Sequence, residues 1–254
     1  MLHEFPWCKN RAGRYFYSSV SDVLDKEYVS RMLKNSKGCD TLIAQPDNYF
    51  VTSDKTYKEL EELGHTKTAQ YFKQFEDNLN QSVLQHGNIW YNLKEAKKKA
   101  TLITGLNPDK RLFFAKFNEP TCINQRLIGF YAKTKDVDID ICHALLNSVV
   151  GMFYIEATGF GRGAGALDLS KDKFAESFML NPALLSEKQK QNILTAFKPL
   201  TKRKILPVED ELKQLDRQKF DTEVLRAYGM ENLYDEIKDS LLSMMRVRLG
   251  AKSK

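Results

Sequence analysis

Apolar residues in this chain change their spacing along its length, and that change restricts the fold. Around the middle they form short β-rich runs, Thr101 to Thr104, Arg111 to Phe117 and Cys122 to Ala132. The turn formers Asn107-Pro108-Asp109 and Asn118-Glu119-Pro120 separate these runs. From Val208 onward the spacing is helical to the end. A sheet that must be covered, followed by a helical tail, predicts an α/β mixed (α+β) fold. The 254 residues suffice for one large domain or two small ones. We expect a lead-in over 1–41, a mixed-sheet domain with packed helices over 42–205 and a helical segment over 206–254.

Other elements follow from local chemistry. A helix is predicted around Asp22 to Lys34, then strands at Leu42-Ile43-Ala44 and Tyr49-Phe50-Val51 on either side of Gln45-Pro46-Asp47-Asn48. A helical stretch follows, with Ser53 or Asp54 as N-cap and a second start at Thr66; Phe72, Phe75, Leu79 and Val83 face inward. One helix is predicted from Asp138 to the glycine-rich turn Thr158 to Gly165, which leads into a strand at Ala166 to Leu169. Ser186 and Gln189 form a capping box for a helix reaching Phe197. Gly229 closes a later helix, and a last one runs from about Glu231 to Arg248.

The formal net charge of +6 implies little, but its distribution says more. Trp90 to Lys135 holds ten Lys/Arg against three Asp/Glu, and Ser186 to Ile205 six against one. Leu42 to Gly87 and Asp136 to Leu185 are acidic, with four against seven and three against seven. Two concentrated basic segments suit a polyanion partner, although solvated surface lysines give the same pattern. Lys94, Lys97, Lys98 and Lys99 follow Trp90-Tyr91, which joins phosphate-contacting cations to flat rings. Core packing is the competing role for at least one of those two aromatics. Lys110, Arg111 and Lys202-Arg203-Lys204 extend the set of candidate phosphate contacts, the last cluster being exposed if its helix ends at Pro199. Asn124, Gln125 and Arg126, placed in a strand, have side chains of the types that read adenine and guanine edges.

Other chemistry finds little support. Gly159 to Gly165 lies between a helix and a strand, the reverse of a dinucleotide fingerprint. Its glycines suit a tight turn, and Arg162 with the exposed amides could approach a phosphate. The four histidines lack metal-ligand spacing, and the four cysteines predict reduced thiols. Glu-x-Lys occurs at Glu211-Leu212-Lys213 and Glu236-Ile237-Lys238, the second downstream of Asp221, as a metal-dependent nuclease would need. No apolar run is long enough to span a bilayer and no leader is visible, so a cytoplasmic protein with no membrane partner is expected.

An ordered series of segments resembles a known module. It comprises Leu42 to Asp47, Thr68 to Leu79, Trp90 to Leu93, Ala144 to Ser148, Gly159 to Ser170, Leu215-Asp216 and Ala227-Tyr228-Gly229. Together they resemble the target-recognition half of adenine-N6 DNA methyltransferases of Eco57I-like restriction–modification systems, over most of residues 42 to 250. The resemblance implies sequence-specific reading of double-stranded DNA in the major groove. The catalytic half of such enzymes carries Phe-x-Gly-x-Gly and Asn/Asp-Pro-Pro-Tyr/Phe. Here Asn107-Pro108 precedes Asp109, and Asn181-Pro182 precedes Ala183. Without that tetrapeptide nothing holds a flipped adenine for methyl transfer. The implied cofactor, S-adenosylmethionine, therefore belongs to a partner catalytic domain or subunit, and none is expected in this chain. A restriction endonuclease subunit is a further implied partner. The competing readings are a nuclease subunit using Asp221, Glu236 and Lys238, and an interaction protein with no DNA role.

Overall fold

The computed structural model describes residues 24–74, 89–92, 99–162 and 165–251. The fold is α/β mixed: a mixed six-stranded sheet, a separate two-stranded hairpin and packed helices. The chain divides into two compact units, each discontinuous in sequence. The first takes the described residues of Met1–Lys34, Gln45–Lys99 and Pro120–Asn124; the second takes Asn35–Ala44, Ala100–Glu119 and Gln125–Lys254.

In the first unit a 3-10 turn, Lys26–Tyr28, leads into strand β1, Val29–Leu33, where a helix was expected. β1 pairs antiparallel with β3, Asn48–Val51, in the register Val29↔Val51 to Met32↔Asn48. It also pairs in parallel with Cys122 and Ile123. Partners distant in sequence thus satisfy its backbone, and this overrides local helical spacing. Helix α1, Tyr57–Glu62, starts later than expected, because the Ser53 hydroxyl accepts from Lys55 N–H at 3.1 Å and makes a turn. Thr56 is the cap, in a capping box with Glu59. Gly64, at φ 81°, turns the chain into α2, Thr66–Lys73, which begins at the expected threonine.

Phe72 stacks on Tyr91 at 4.0 Å and meets Trp90 edge-on at 5.7 Å. Trp90 Nε1 donates to Tyr57 Oη, and Tyr91 Oη donates to the Lys55 carbonyl. Both rings are therefore core residues, each with its polar atom satisfied. Phe75, Leu79 and Val83 lie outside the described residues.

In the second unit β2, Ile43–Ala44, pairs in parallel with Lys116 and Phe117 of β5, Ala115–Ile123. β4, Lys99–Gly105, pairs antiparallel with β6, Leu127–Phe130. β5 runs straight through Asn118-Glu119-Pro120, which was expected to turn. Pro120 lacks a donor, and it falls between the residues of β5 that pair with β2 and those that pair with β1.

Two helices, α3 (Ile139–Leu146) and α4 (Val149–Thr158), replace the single predicted one and are bent by 69°. Asp138 caps α3 as expected. Asn147 makes the break: its Oδ1 accepts from Phe114 N–H at 3.0 Å, and its Nδ2 donates to the Phe114 and His143 carbonyls. Ser148 caps α4, and Asp221 accepts from Val149 N–H at 2.8 Å. Gly151 is needed there, since a Cβ would lie 2.1 Å from the Leu146 carbonyl oxygen.

Phe160–Arg162 (β7) pairs antiparallel with Ala166–Asp168 (β8), so part of the glycine-rich segment is itself a strand. The short helix α5 spans Lys171–Glu176. The predicted Ser186/Gln189 capping box opens α6, Glu187–Lys202, which continues through Pro199 instead of stopping there. Helices α7 (Val208–Glu211), α8 (Leu215–Ala227) and α9 (Tyr234–Gly250) complete the helical tail, with Gly229 at φ 66° after α8. Phe114, Ile155, Leu167, Val208, Leu225 and Leu241 form the centre of this unit's core. No single helix among the described residues is long and apolar enough to cross a membrane, and the bent α3–α4 pair carries many core residues.

Candidate nucleic-acid interface

The second unit contains a cleft of about 330 Å³. Three cationic residues line it, Lys37, Arg111 and Arg126, with Asp109 the one acidic lining residue. They come from separate places: the turn after Asn35, the loop before β5 and the β5–β6 turn. Small residues, Ser36, Thr104, Gly105, Gly165 and Ala166, also line it. The Ser36 hydroxyl packs where a Cβ on Gly105 would stand only 2.5 Å away, and Gly165 and Ala166 of the hairpin close one side.

The loop 106–111 is fastened at several points. Leu106 N–H donates to the Arg126 carbonyl, and its own carbonyl accepts from Leu169 N–H. The Lys110 carbonyl accepts from Val208 N–H. Arg111 Nη1 donates to the Cys39 carbonyl at 3.1 Å, and the guanidinium lies over Phe113 at 5.5 Å. The Asp109 carboxylate accepts from Arg111 N–H at 3.0 Å. Asn107 Nδ2 donates to Asp168 and to the Leu167 carbonyl, tying the loop to β8.

Behind the cleft, Arg248 of α9 forms a buried ion pair with Glu156 of α4, Nε to Oε1 at 2.6 Å and Nη2 to Oε2 at 2.8 Å. The same guanidinium donates to the Gly165 carbonyl at 2.8 Å and to the Asp109 carbonyl at 3.2 Å. One side chain thus holds two walls of the cleft in place. The pairing explains how two buried charges are tolerated.

Of the residues singled out in the sequence, Arg111 and Arg126 meet in this cleft. Asn124, Gln125 and Arg126 lie in the connection between β5 and β6, not inside a strand. Gln125 and Arg126 are exposed, whereas Asn124 donates its N–H to the Leu33 carbonyl. Lys110 is exposed beside the cleft loop. Arg162 ends β7, and Lys99 begins β4 with an exposed side chain. Lys94, Lys97 and Lys98 lie outside the described residues.

Lys202 and Lys204 are exposed at the end of α6. Arg203 between them is drawn inward: it donates to Asp216 at 2.6 and 3.0 Å and to Glu211 at 2.8 and 2.9 Å. Against the upward push of burial, Arg203 and Arg217 hold the Glu211 carboxyl below its usual range. Arg203 is therefore matched inside the chain and does not join the candidate interface.

The nuclease residues do not assemble. Asp221 is fully buried as a cap of α4 and lies 3.6 Å from Arg217. Glu236 is exposed on α9, and Lys238 pairs with Asp235 one turn away. Glu211 is taken by Arg203 and Arg217. Among the described residues no group of three or more His, Cys, Asp or Glu could hold a metal.

Sequence reasoning missed Lys37 and Arg248. Lys37 sits alone in an Asn-Ser-Lys-Gly turn, with nothing local to link it to Arg111 or Arg126. Arg248 reads as one more cation on a charged helix, and only Glu156, 92 residues away, shows its role.

No family model matches the sequence, and no curated protein matches it. Among solved structures the chain is similar to the type IIG restriction endonuclease BpuSI, with a TM-score of 0.59 at 12% identity. The match covers 95% of this chain and 28% of that one. It is a likeness of fold, and this chain spans little more than a quarter of its neighbour's length.

Proposed function

We propose that this chain is a sequence-specific double-stranded DNA recognition module of a restriction–modification adenine-N6 DNA methyltransferase, and that the cleft seats one strand by its phosphates. The carrying observation is the convergence of Lys37, Arg111 and Arg126 from three separate segments on one cleft that holds a single carboxylate. A phosphodiester placed there would meet cations whose positions the fold has already determined. The likeness to a larger restriction endonuclease supports a role as one part of such a system. Both Asn-Pro pairs have structural tasks: Asn107 ties the cleft loop to β8, and Asn181 caps the turn Pro182–Leu184. On this proposal methyl transfer falls to a partner catalytic domain or subunit that binds S-adenosylmethionine.

The test is to retain a randomised duplex library on the purified chain at moderate salt and sequence what stays. Enrichment of a motif of a few base pairs is expected. The double variant Lys37→Ala/Arg126→Ala should weaken all duplexes alike and make the salt dependence of log K shallower by about two. No retention even at low salt would overturn the reading. A variant indistinguishable from wild type would remove the cleft from it.

A further inference from the structure

α6 is the second basic segment of the sequence, and its two faces differ sharply. Ile193, Ala196, Phe197 and Leu200 are buried, and Gln189 Nε2 donates to the Ala227 carbonyl on the same side. Lys188, Gln191, Asn192, Thr195, Lys198 and Lys202 are all exposed. At about 100° per residue these six fall within an arc of about 120°. The arc contains no carboxylate: Glu187, the helix's one acidic residue, lies beyond its edge and pairs with Lys190. Lys188, Lys198 and Lys202 have no ion-pair partner among the described residues. Pro199 also lies on this arc, and because it has no N–H the Thr195 carbonyl lacks its usual helical donor.

A face that combines amides, a hydroxyl and cations, with no acid, complements the phosphates and base edges of a duplex; within it Gln191 Nε2 donates to the Thr195 hydroxyl at 3.4 Å, and that hydroxyl donates to the Gln191 carbonyl at 2.7 Å. Lysines reach phosphates, and Asn and Gln pair bidentately with adenine N6 and N7. Sixteen residues make a helix about 24 Å long, of a width the major groove admits. We infer that α6 is a base-reading helix for duplex DNA: Gln191 and Asn192 specify base edges, and Lys188, Lys198 and Lys202 grip the flanking phosphates. The inference rests on the DNA reading of the chain and names the element that would carry specificity.

Two exposed-face variants of the full chain test it with the same randomised library. Gln191→Ala/Asn192→Ala should still be retained, but with base preference at one or two motif positions reduced about tenfold. Lys188→Ala/Lys198→Ala/Lys202→Ala should keep the motif and lose roughly 10- to 100-fold in affinity, with a salt slope shallower by about three. Circular dichroism and melting temperatures should match wild type, since none of the five side chains is buried. If wild type enriches a motif and both variants reproduce its motif, affinity and salt slope, α6 is excluded while the DNA reading stands. If wild type itself is not retained at low salt, both fall.

Discussion

Asp221 and His143 show how a buried titratable group gives this protein a pH dependence. Burial pushes the Asp221 carboxyl up to about 6, with Arg217 and the Val149 N–H opposing that shift. The folded state therefore binds this proton more tightly than the unfolded chain. The contribution to stability is full below about pH 4 and is lost as pH rises through 6. Asn in its place keeps an acceptor for Val149 N–H and cannot ionise. Urea unfolding of Asp221→Asn should show stability relative to wild type rising by up to about 3 kcal/mol between pH 4 and 7. Parallel profiles for the two proteins would show that Asp221 does not titrate in this range. Burial likewise pushes His143 down to about 4, and its Nε2 lies 3.0 Å from the Phe114 carbonyl. Its contribution has the opposite sign, being lost as pH falls from about 6.5 through 4. At the same scale, Arg248→Met should cost about 3–5 kcal/mol by leaving Glu156 buried without its partner. It should also loosen the Asp109 and Gly165 walls, raising hydrogen exchange at both. Exchange unchanged at those two sites would deny Arg248 its role in positioning the cleft.

At the scale of elements, the most consequential feature is the break between α3 and α4. The Asn147 amide bonds both backbone groups of Phe114, as a neighbouring strand would, so a helix end closes the side of an extended segment. Asn147→Leu should destabilise by about 2–4 kcal/mol, because it strands the buried N–H of Phe114 and leaves its carbonyl short of a partner. Gly151→Ala should be at least as damaging, since the added carbon meets the Leu146 carbonyl at 2.1 Å. Denaturation midpoints check both, and a Gly151→Ala protein as stable as wild type would contradict the bend. Apolar periodicity alone predicts one long helix here, because Ile139, Cys142, Leu145, Leu146, Val149, Val150 and Phe153 continue a stripe across the break. The competing claim of Phe114 on Asn147, 33 residues away, is invisible to such a pattern. The same holds for β1, whose strand state depends on partners at 48–51 and 122–123.

For the molecule as a whole, the proposed function separates DNA binding from catalysis. The chain alone should transfer no methyl group from S-adenosylmethionine to duplex DNA and should leave plasmid intact with magnesium. Radiolabel transfer and gel mobility check these outcomes. Methylation by the purified chain would overturn the division of labour proposed here, and magnesium-dependent cleavage would revive the nuclease reading.

Much of the architecture was legible in the residues. The switch from β-rich to helical spacing announced an α/β mixed fold, Ser186 with Gln189 marked the start of α6, and Gly229 marked the end of α8. These features depend on side chains within a few residues of the backbone they satisfy, so local chemistry suffices to determine them. The two basic segments were visible for the same reason, as a property of neighbouring residues. Tertiary structure alone decided which cations meet. It brought Lys37, Arg111 and Arg126 to one cleft, turned Arg203 inward to Glu211 and Asp216, and buried Trp90 and Tyr91 against Phe72. Whether a charge faces solvent or an internal partner depends on distances between segments tens of residues apart, and a linear pattern carries no measure of them.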